Sequence, residues 1–341
     1  MDREDTMTAE RVNRGTTRRE ILRLGTGAAG AALAVAAIPG AAQALAAKRG
    51  YQLQGPGTSA DRINGMRNQM AAVPLETKKL RDNLQVIYNG AGNVVLLTGS
   101  DGKLISDTSV LPNAPKLLAQ LAAIDSAPLK LVVNTHWHFD HTDGNDAMHN
   151  AGATIIAHEN TLKRLSTRQE IKGFGLTFDP APVGAWPRTT FSDKAALYFG
   201  SENVHLGYIQ PAHTDSDIYV HFEKANVIHG GDVFFAGRYP FIDASTGGSI
   251  NGMIAGADKL IAMAGADTVV VPGHGPVGDR GTLTTYRDMM VTVRDRVRAQ
   301  KTAGKTLEEV VAAKLTADFD AAWGGSMVSP ELFTTVVYTT L

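Results

Sequence analysis

The chain of 341 residues carries no cysteine, is 43% hydrophobic and 20% charged, and has a formal net charge of −1. The missing cysteines exclude a disulfide framework, a thiolate metal ligand and a lipidated N-terminal cysteine. A near-neutral chain without a basic block also excludes nucleic acid as a partner, because duplex binding depends on clustered Lys and Arg.

The chain opens on a leader. Thr17-Arg18-Arg19-Glu20-Ile21-Leu22 is a twin-arginine pattern, followed by a weakly apolar Gly/Ala stretch from Gly25 to Ile38 and a small-residue run from Ala41 to Ala47. Residues 1–46 therefore read as a cleaved twin-arginine signal peptide, which predicts a periplasmic protein. The apolar run is short of the ~20 residues a membrane span needs, so no stable anchor is expected after cleavage. Residues 47–80 read as a polar N-terminal extension with a short helix near Arg62 to Ala72, and residues 81–341 as the folded domain.

Within that domain, Leu84–Tyr88 and Asn93–Thr98 read as strands joined by the turn Asn89-Gly-Ala-Gly92. Ser100-Asp-Gly102 then turns the chain into a third strand, Lys103–Ser106, so the region is expected as antiparallel hairpins. Ala114–Ile124 has helical spacing, with Leu117, Leu118, Leu121 and Ile124 on one face. Leu129–Val133 is a buried strand, Thr154–Ala157 a short one, and Glu159–Thr167 a helix. Residues 170–192, rich in Pro, Gly and aromatics, fit no core element and are expected as a long loop over or beside the site, with Trp186 as a pocket-lining candidate. Strands resume at Ala196–Phe199, Val204–Ile209, Ile218–Phe222, Val227–His229 and Thr268–Val271, with helices over Ile250–Met263 and Gly281–Leu315. Two sets of mostly antiparallel strands, each followed by helices, give a layered α/β sandwich.

The chemistry concentrates after Leu129–Val133. The loop Asn134-Thr-His-Trp-His-Phe-Asp-His-Thr-Asp-Gly-Asn145 packs His136, His138, Asp140 and His141 into six residues. Imidazole and carboxylate donors suit zinc, manganese or iron, and loops at strand ends are where α/β proteins place their chemistry. Further donors arrive at three more strand ends: His213 in Pro211-Ala-His-Thr-Asp-Ser-Asp217, Asp232 in Gly230-Gly-Asp232, and His274 in Pro272-Gly-His-Gly-Pro276. His149, His158, His205, His221 and His229 match no motif and are expected as packed or capping residues. Phe234, Phe235 and Tyr239 stand equally well as core or as pocket lining.

Taken in order, these patterns resemble the His-x-His-x-Asp-His, lone His, lone Asp and Gly-His motifs of the metallo-β-lactamase superfamily, over roughly Leu84 to Gly278. The resemblance implies a four-layer αβ/βα sandwich with mixed, largely antiparallel sheets and two metals, usually zinc, in a cleft at its edge; manganese and iron stay open. By position it implies one metal on His136, His138 and His213, another on Asp140, His141 and His274, and Asp232 bridging them. Asp107, in Ile105-Ser-Asp-Thr108, matches the family's structural aspartate, which orients the ligands from behind. The nucleophile implied is a bridging hydroxide, its pKa lowered toward ~7 by the metals, with Asp140 orienting it and relaying a proton.

The bridging position holds Asp232 and not the cysteine that many zinc β-lactamases use. That brings the pattern nearer to glyoxalase II-like thioesterases, lactonases and exported β-lactamase-like hydrolases. The expectation is an exported di-zinc hydrolase of small molecules that attacks the carbonyl of a cyclic amide or ester, with at least promiscuous β-lactamase activity. A lactonase or thioesterase of the same fold, and a non-catalytic metal-binding scaffold, are the alternatives.

Overall fold

Thr58 starts the first helix: its hydroxyl accepts from Asp61 N while the Asp61 carboxylate accepts from Thr58 N, a capping box that fixes α1 (Ser59–Ala71). The computed structural model describes residues 57–341, and the expected signal peptide at 1–46 lies outside the described residues. After α1 come β1 (Glu76–Lys79), β2 (Leu84–Tyr88), β3 (Val94–Gly99) and β4 (Gly102–Ser106), then α2 (Ala114–Ile124), β5 (Leu129–Val133), α3 (Phe139–Thr142), α4 (Asn145–Asn150), β6 (Thr154–His158) and α5 (Glu159–Leu165). A hairpin of β7 (Gln169–Ile171) and β8 (Leu176–Phe178) precedes β9 (Thr189–Phe191), β10 (Lys194–Phe199), β11 (Glu202–Tyr208), β12 (Ile218–Phe222) and β13 (Val227–His229). The chain ends with α6 (Ile250–Met263), β14 (Val269–Val271), β15 (Gly278–Asp279), α7 (Arg280–Thr302), α8 (Leu307–Ala312), α9 (Asp320–Trp323) and α10 (Pro330–Thr340).

Two sheets carry the fold. One is ordered β1-β2-β3-β4-β5-β6-β9, antiparallel from β1 to β4 and parallel from β4 to β9. The other runs β10 to β15 in sequence order, antiparallel except where β14 lies parallel to β13. Because side chains alternate across a strand, each strand feeds two cores. Val86, Leu104, Val133 and Ile156 of the first sheet meet Val204, Val220, Val227 and Val271 of the second in a central apolar layer. Their neighbours Ile87, Ile105, Val132 and Ile155 turn the other way, onto Leu117 and Leu121 of α2 and Met148 of α4. Ile228 and Val270 likewise face Met253, Ile254 and Leu260 of α6 and Tyr286, Met289 and Val293 of α7. Helices therefore cover both outer faces, which is the αβ/βα sandwich. Each such fully buried aliphatic side chain contributes ~1.5–3 kcal/mol.

Two expectations need correction. Residues 170–192 are not a bare loop: Gly175, at φ 59°, turns the β7–β8 hairpin, and β9 adds to the edge of the first sheet beside β6. Three-residue strands between Pro and Gly residues are too short to show a period of two. The helical stretch 281–315 is also interrupted. α7 stops before Gly304, at φ 80°, and Thr306 with Glu309 makes a new capping box for α8.

Candidate metal centre

The donors gather where strands end. Val133 closes β5, and the next residues carry His136, His138, Asp140 and His141. His213 lies between β11 and β12, Asp232 just past β13, and His274 just past β14. Parallel pairing of β4 with β5, and of β13 with β14, brings these ends to one edge of the sandwich. Within the cluster, one donor atom each of His136, His138, His213 and Asp232 lie within 4.8 Å of one another, as do those of Asp140, His141 and His274. Asp232 stands between the groups: Oδ2 is 3.4 Å from both His213 Nε2 and His274 Nε2, and Oδ1 is 3.2 Å from His141 Nε2.

The backs of the rings are held. His141 Nδ1 is 2.8 Å from Asp107 Oδ2, and His213 Nδ1 donates to Phe241 O at 2.8 Å. His136 Nδ1 is 3.1 Å from Thr135 Oγ1. His138 is used the other way round, with Nε2 3.1 Å from Asp243 Oδ2 and Nδ1 turned inward, 2.8 Å from His213 Nε2. Fixing one imidazole nitrogen sets the tautomer and aims the other at the cluster. Asp107 reaches its place through a left-handed backbone, φ 68°, and also accepts from Thr135 N and Oγ1 at 2.7 Å each. A non-glycine residue in that region costs ~1–3 kcal/mol and persists only where its surroundings hold it.

The residues fit a metal. His136 Nε2 is buried, faces the cluster and has no hydrogen-bond partner, and buried Asp232 Oδ1 has only His141 Nε2 beside it, at 3.2 Å. Orphaned polar atoms in a fully buried position cost free energy unless a group other than the protein's own satisfies them, and a cation among neutral imidazoles and carboxylates does so. Electrostatics point the same way. Burial draws His136 well below the ordinary 6.5 and His213 down to about 4, against the pull of Asp232, so both are neutral donors at pH 7. For His141 the pull of Asp232, Asp107 and Asp140 outweighs burial and raises the pKa, and His274 is raised by Asp232 and Asp140. Burial opposes ionisation of Asp140, yet His141 and His274 hold it down to about 2. Protons on His141 and His274 stand where a cation would otherwise balance the carboxylates.

Glycine makes the close packing possible. A Cβ on Gly92 would fall 2.3 Å from His141 Cε1, and one on Gly273 would fall 1.9 Å from Asp232 Oδ1. The open side is given by exposure. His136, His141 and His213 are sealed, whereas the side chains of Asp140 and His274 keep 11% and 13% of their surface in solvent. Trp137, Phe235 and Phe241 line the cluster, Phe235 stacking on His274 with ring centres 5.4 Å apart. Phe234 and Tyr239 are core. Trp186 spends its indole N–H on Ala181 O; the rings that the 170–192 segment does bring toward the site are Phe174, against Phe241, and Phe178, against Trp137.

Of the other histidines, His158 caps α5 and stacks on Tyr208, His205 pairs with Glu223, and His229 is buried 2.9 Å from Ser106 Oγ, tying the two sheets beneath the centre. Sequence reasoning missed Asp243. Its signal was Asp243-Ala-Ser-Thr246, an N-cap pattern in which the carboxylate accepts from Ser245 and Thr246.

Comparison with known proteins agrees. Residues 87–292 match the model of the metallo-beta-lactamase superfamily, and the chain belongs to that family. A metallo-beta-lactamase type 2 of Bacillus cereus is 26% identical over 202 residues, 58% of this chain and 72% of that one. A probable metallo-hydrolase of Methanocaldococcus jannaschii is 27% identical over 199 residues, 57% and 92% of the two chains. Among solved structures, a metallo-beta-lactamase from Pontibacter korlensis superposes with a TM-score of 0.53 at 20% identity, over 64% of this chain and 99% of the other. The DIM-1 metallo-beta-lactamase gives 0.52 at 19% identity, over 64% and 99%. The protein is a metal-dependent hydrolase of this superfamily.

Proposed function

We propose that the protein is an exported di-zinc hydrolase that opens the carbonyl–nitrogen or carbonyl–oxygen bond of a cyclic amide or ester, β-lactams included. The observation that carries the reading is the division of seven donors into two groups about Asp232, with only Asp140 and His274 open to solvent. His136, His138 and His213 would hold one ion, Asp140, His141 and His274 the other, and Asp232 both. All donors are nitrogen or oxygen, which suits zinc, and three imidazoles on one ion are a common zinc set. When bound, such ions supply Lewis acidity, lowering the pKa of water and stabilising charge on a carbonyl oxygen.

The chain's own residues do the rest. Asp140, held ionised and partly exposed, sits where an entering water and substrate meet, and its carboxylate takes the proton from that water and returns it to the leaving nitrogen or oxygen. Trp137, Phe178 and Phe241 give the approach an apolar wall, excluding bulk water and accepting a ring substrate. Arg238, half-buried and close enough to Asp232 to feel its charge, forms no ion pair among the described residues and offers itself to a substrate carboxylate. Export is supported by the Arg18-Arg19 leader, and among the described residues no helix is long and apolar enough to cross a membrane. Support for β-lactams comes from the Bacillus relative and the free Arg238.

The test is metal analysis of the mature protein followed by a panel of nitrocefin, an acyl-homoserine lactone, a thioester and a phosphodiester. Two zinc ions per chain and turnover of nitrocefin are expected. Turnover of the lactone or thioester alone would move the substrate class, and a fully loaded protein inert on the whole panel would make it a scaffold.

A further inference from the structure

Helix α1 lies outside the segment that matches the family model, yet it is the outer wall of the metal loop. Ile63 and Met66 pack against Trp137, Ile171, Phe174 and Leu176, and Met70 and Ala71 against Phe139, Ala91 and Val110. Ser59 Oγ accepts from Thr177 N at 2.6 Å and Arg62 donates to Gly175 O at 2.6 Å, which fastens α1 to the β7–β8 hairpin. A charged fork also ties α1 to the loop. Arg67 Nε donates to Asp143 Oδ2 at 2.6 Å and Nη2 to Oδ1 at 2.9 Å, while the guanidinium lies 5.8 Å from the centre of the Phe139 ring.

The partner is informative. Asp143 caps the C-terminal end of α3, the single turn Phe139–Thr142 that carries Asp140 and His141, and its N–H donates to Phe139 O at 2.9 Å. A carboxylate at a helix C-terminus is disfavoured by the aligned carbonyls, and here its side chain keeps only 13% of its surface in solvent. The Leu111 backbone N–H eases its charge, and the larger compensation comes from Arg67, 76 residues earlier, whose bidentate fork on the carboxylate fixes direction as well as distance.

We propose that Arg67 is a positioning residue for the metal centre: through Asp143 it holds the Phe139–Thr142 turn so that Asp140 and His141 converge on His274. This rests on the two-metal reading above. His141 N and Thr142 Oγ1 of the turn reach His138 O at 3.0 Å each, but the His136, His138 and His213 rings have braces of their own in Thr135, Asp243 and Phe241, so the effect of Arg67 falls mainly on one group.

Zinc affinity, measured by competition with a chromophoric chelator on the full mature chain, tests this directly. Arg67→Ala is expected to weaken one of two zinc equivalents by about 10- to 100-fold, the range for lost support behind metal ligands, and to leave the other unchanged. Arg67→Lys keeps the charge without the fork and should restore part of the loss. Asp143→Asn, which preserves shape, should show the same one-sided loss. Wild-type affinity for both equivalents in Arg67→Ala, or equal losses at both, would overturn the proposal. Should the wild type take a single zinc, the two-metal reading fails by itself, and the proposal is then decided by amide hydrogen exchange over 139–143 in the metal-free chain. There Arg67→Ala should exchange at least tenfold faster than wild type, and an unchanged rate sinks it.

Discussion

Nε2 of His138 lies 3.1 Å from Oδ2 of Asp243, a contact between two buried side chains 105 residues apart. It explains why His138 alone among the clustered imidazoles presents Nδ1 to the centre. Asp243 is held in turn by Ser245 N and Thr246 Oγ1, and its own N–H donates to His213 O at 2.9 Å, so one residue braces two donors of the same group. Asp243→Ala is therefore expected to weaken the zinc held by His136, His138 and His213 by about 10- to 100-fold. Asp243→Asn, which keeps an acceptor for His138, should lose less. Equal zinc affinity in wild type and Asp243→Ala, measured against a chelator, would remove Asp243 from that role.

Gly92 shows how little room the opposite group has. Its amide donates to Asp140 O at 3.3 Å, and a Cβ there would meet three atoms of the His141 ring within 2.6 Å. The ring is pinned behind by Asp107, so it cannot simply slide away. Gly92→Ala should displace His141, lower zinc content toward one per chain and reduce turnover at least tenfold, with the fold retained by circular dichroism. Two tightly bound zinc ions in this variant would show that the ring has room to move.

Much of this is legible in the sequence. The donors His136, His138, Asp140 and His141 sit close in sequence, and His213, Asp232 and His274 each follow a short apolar run, so the pattern survives in one dimension. What did not survive is support from a distance. The Asp243 and Arg67 side chains reach partners 105 and 76 residues away, and no spacing rule connects them. The β7–β8 hairpin escaped for another reason: three-residue strands carry no periodicity, and tertiary contacts, among them packing against Ile63 and Met66, hold them in place.

Arg238 separates substrate classes. A half-buried guanidinium near Asp232 without an ion pair among the described residues is a site for an anion, and a hydrogen bond to a charged group is worth ~1.5–3 kcal/mol. Arg238→Ala is expected to raise KM for nitrocefin and other carboxylate-bearing substrates about tenfold or more while kcat stays close to wild type. An uncharged lactone should show no such change. A parallel rise in KM for both would assign Arg238 to the shape of the pocket and not to charge recognition.

The metal-free protein should have a stability maximum near pH 6.5, and the argument turns on the opposite signs of its buried histidines. Burial holds His213 and His229 down to about 4 in the fold, whereas unfolded they titrate at the ordinary 6.5. Between those values the unfolded chain binds protons the fold refuses, so stability falls as pH falls, by at most ~1.4 kcal/mol per pH unit for each group. His141 and His274 are raised by Asp232 and its neighbours. Their contribution is complete below 6.5 and is lost as pH rises through their folded values. Zinc removes the alkaline decline, because ligation requires the neutral imidazole and replaces the proton with a cation. Urea unfolding at pH 4.5, 6.5 and 9, with zinc and with a chelator, should therefore give a maximum for the chelated protein and no alkaline decline for the loaded one. A chelated protein whose stability keeps rising to pH 9 would mean that the carboxylates do not hold protons on His141 and His274.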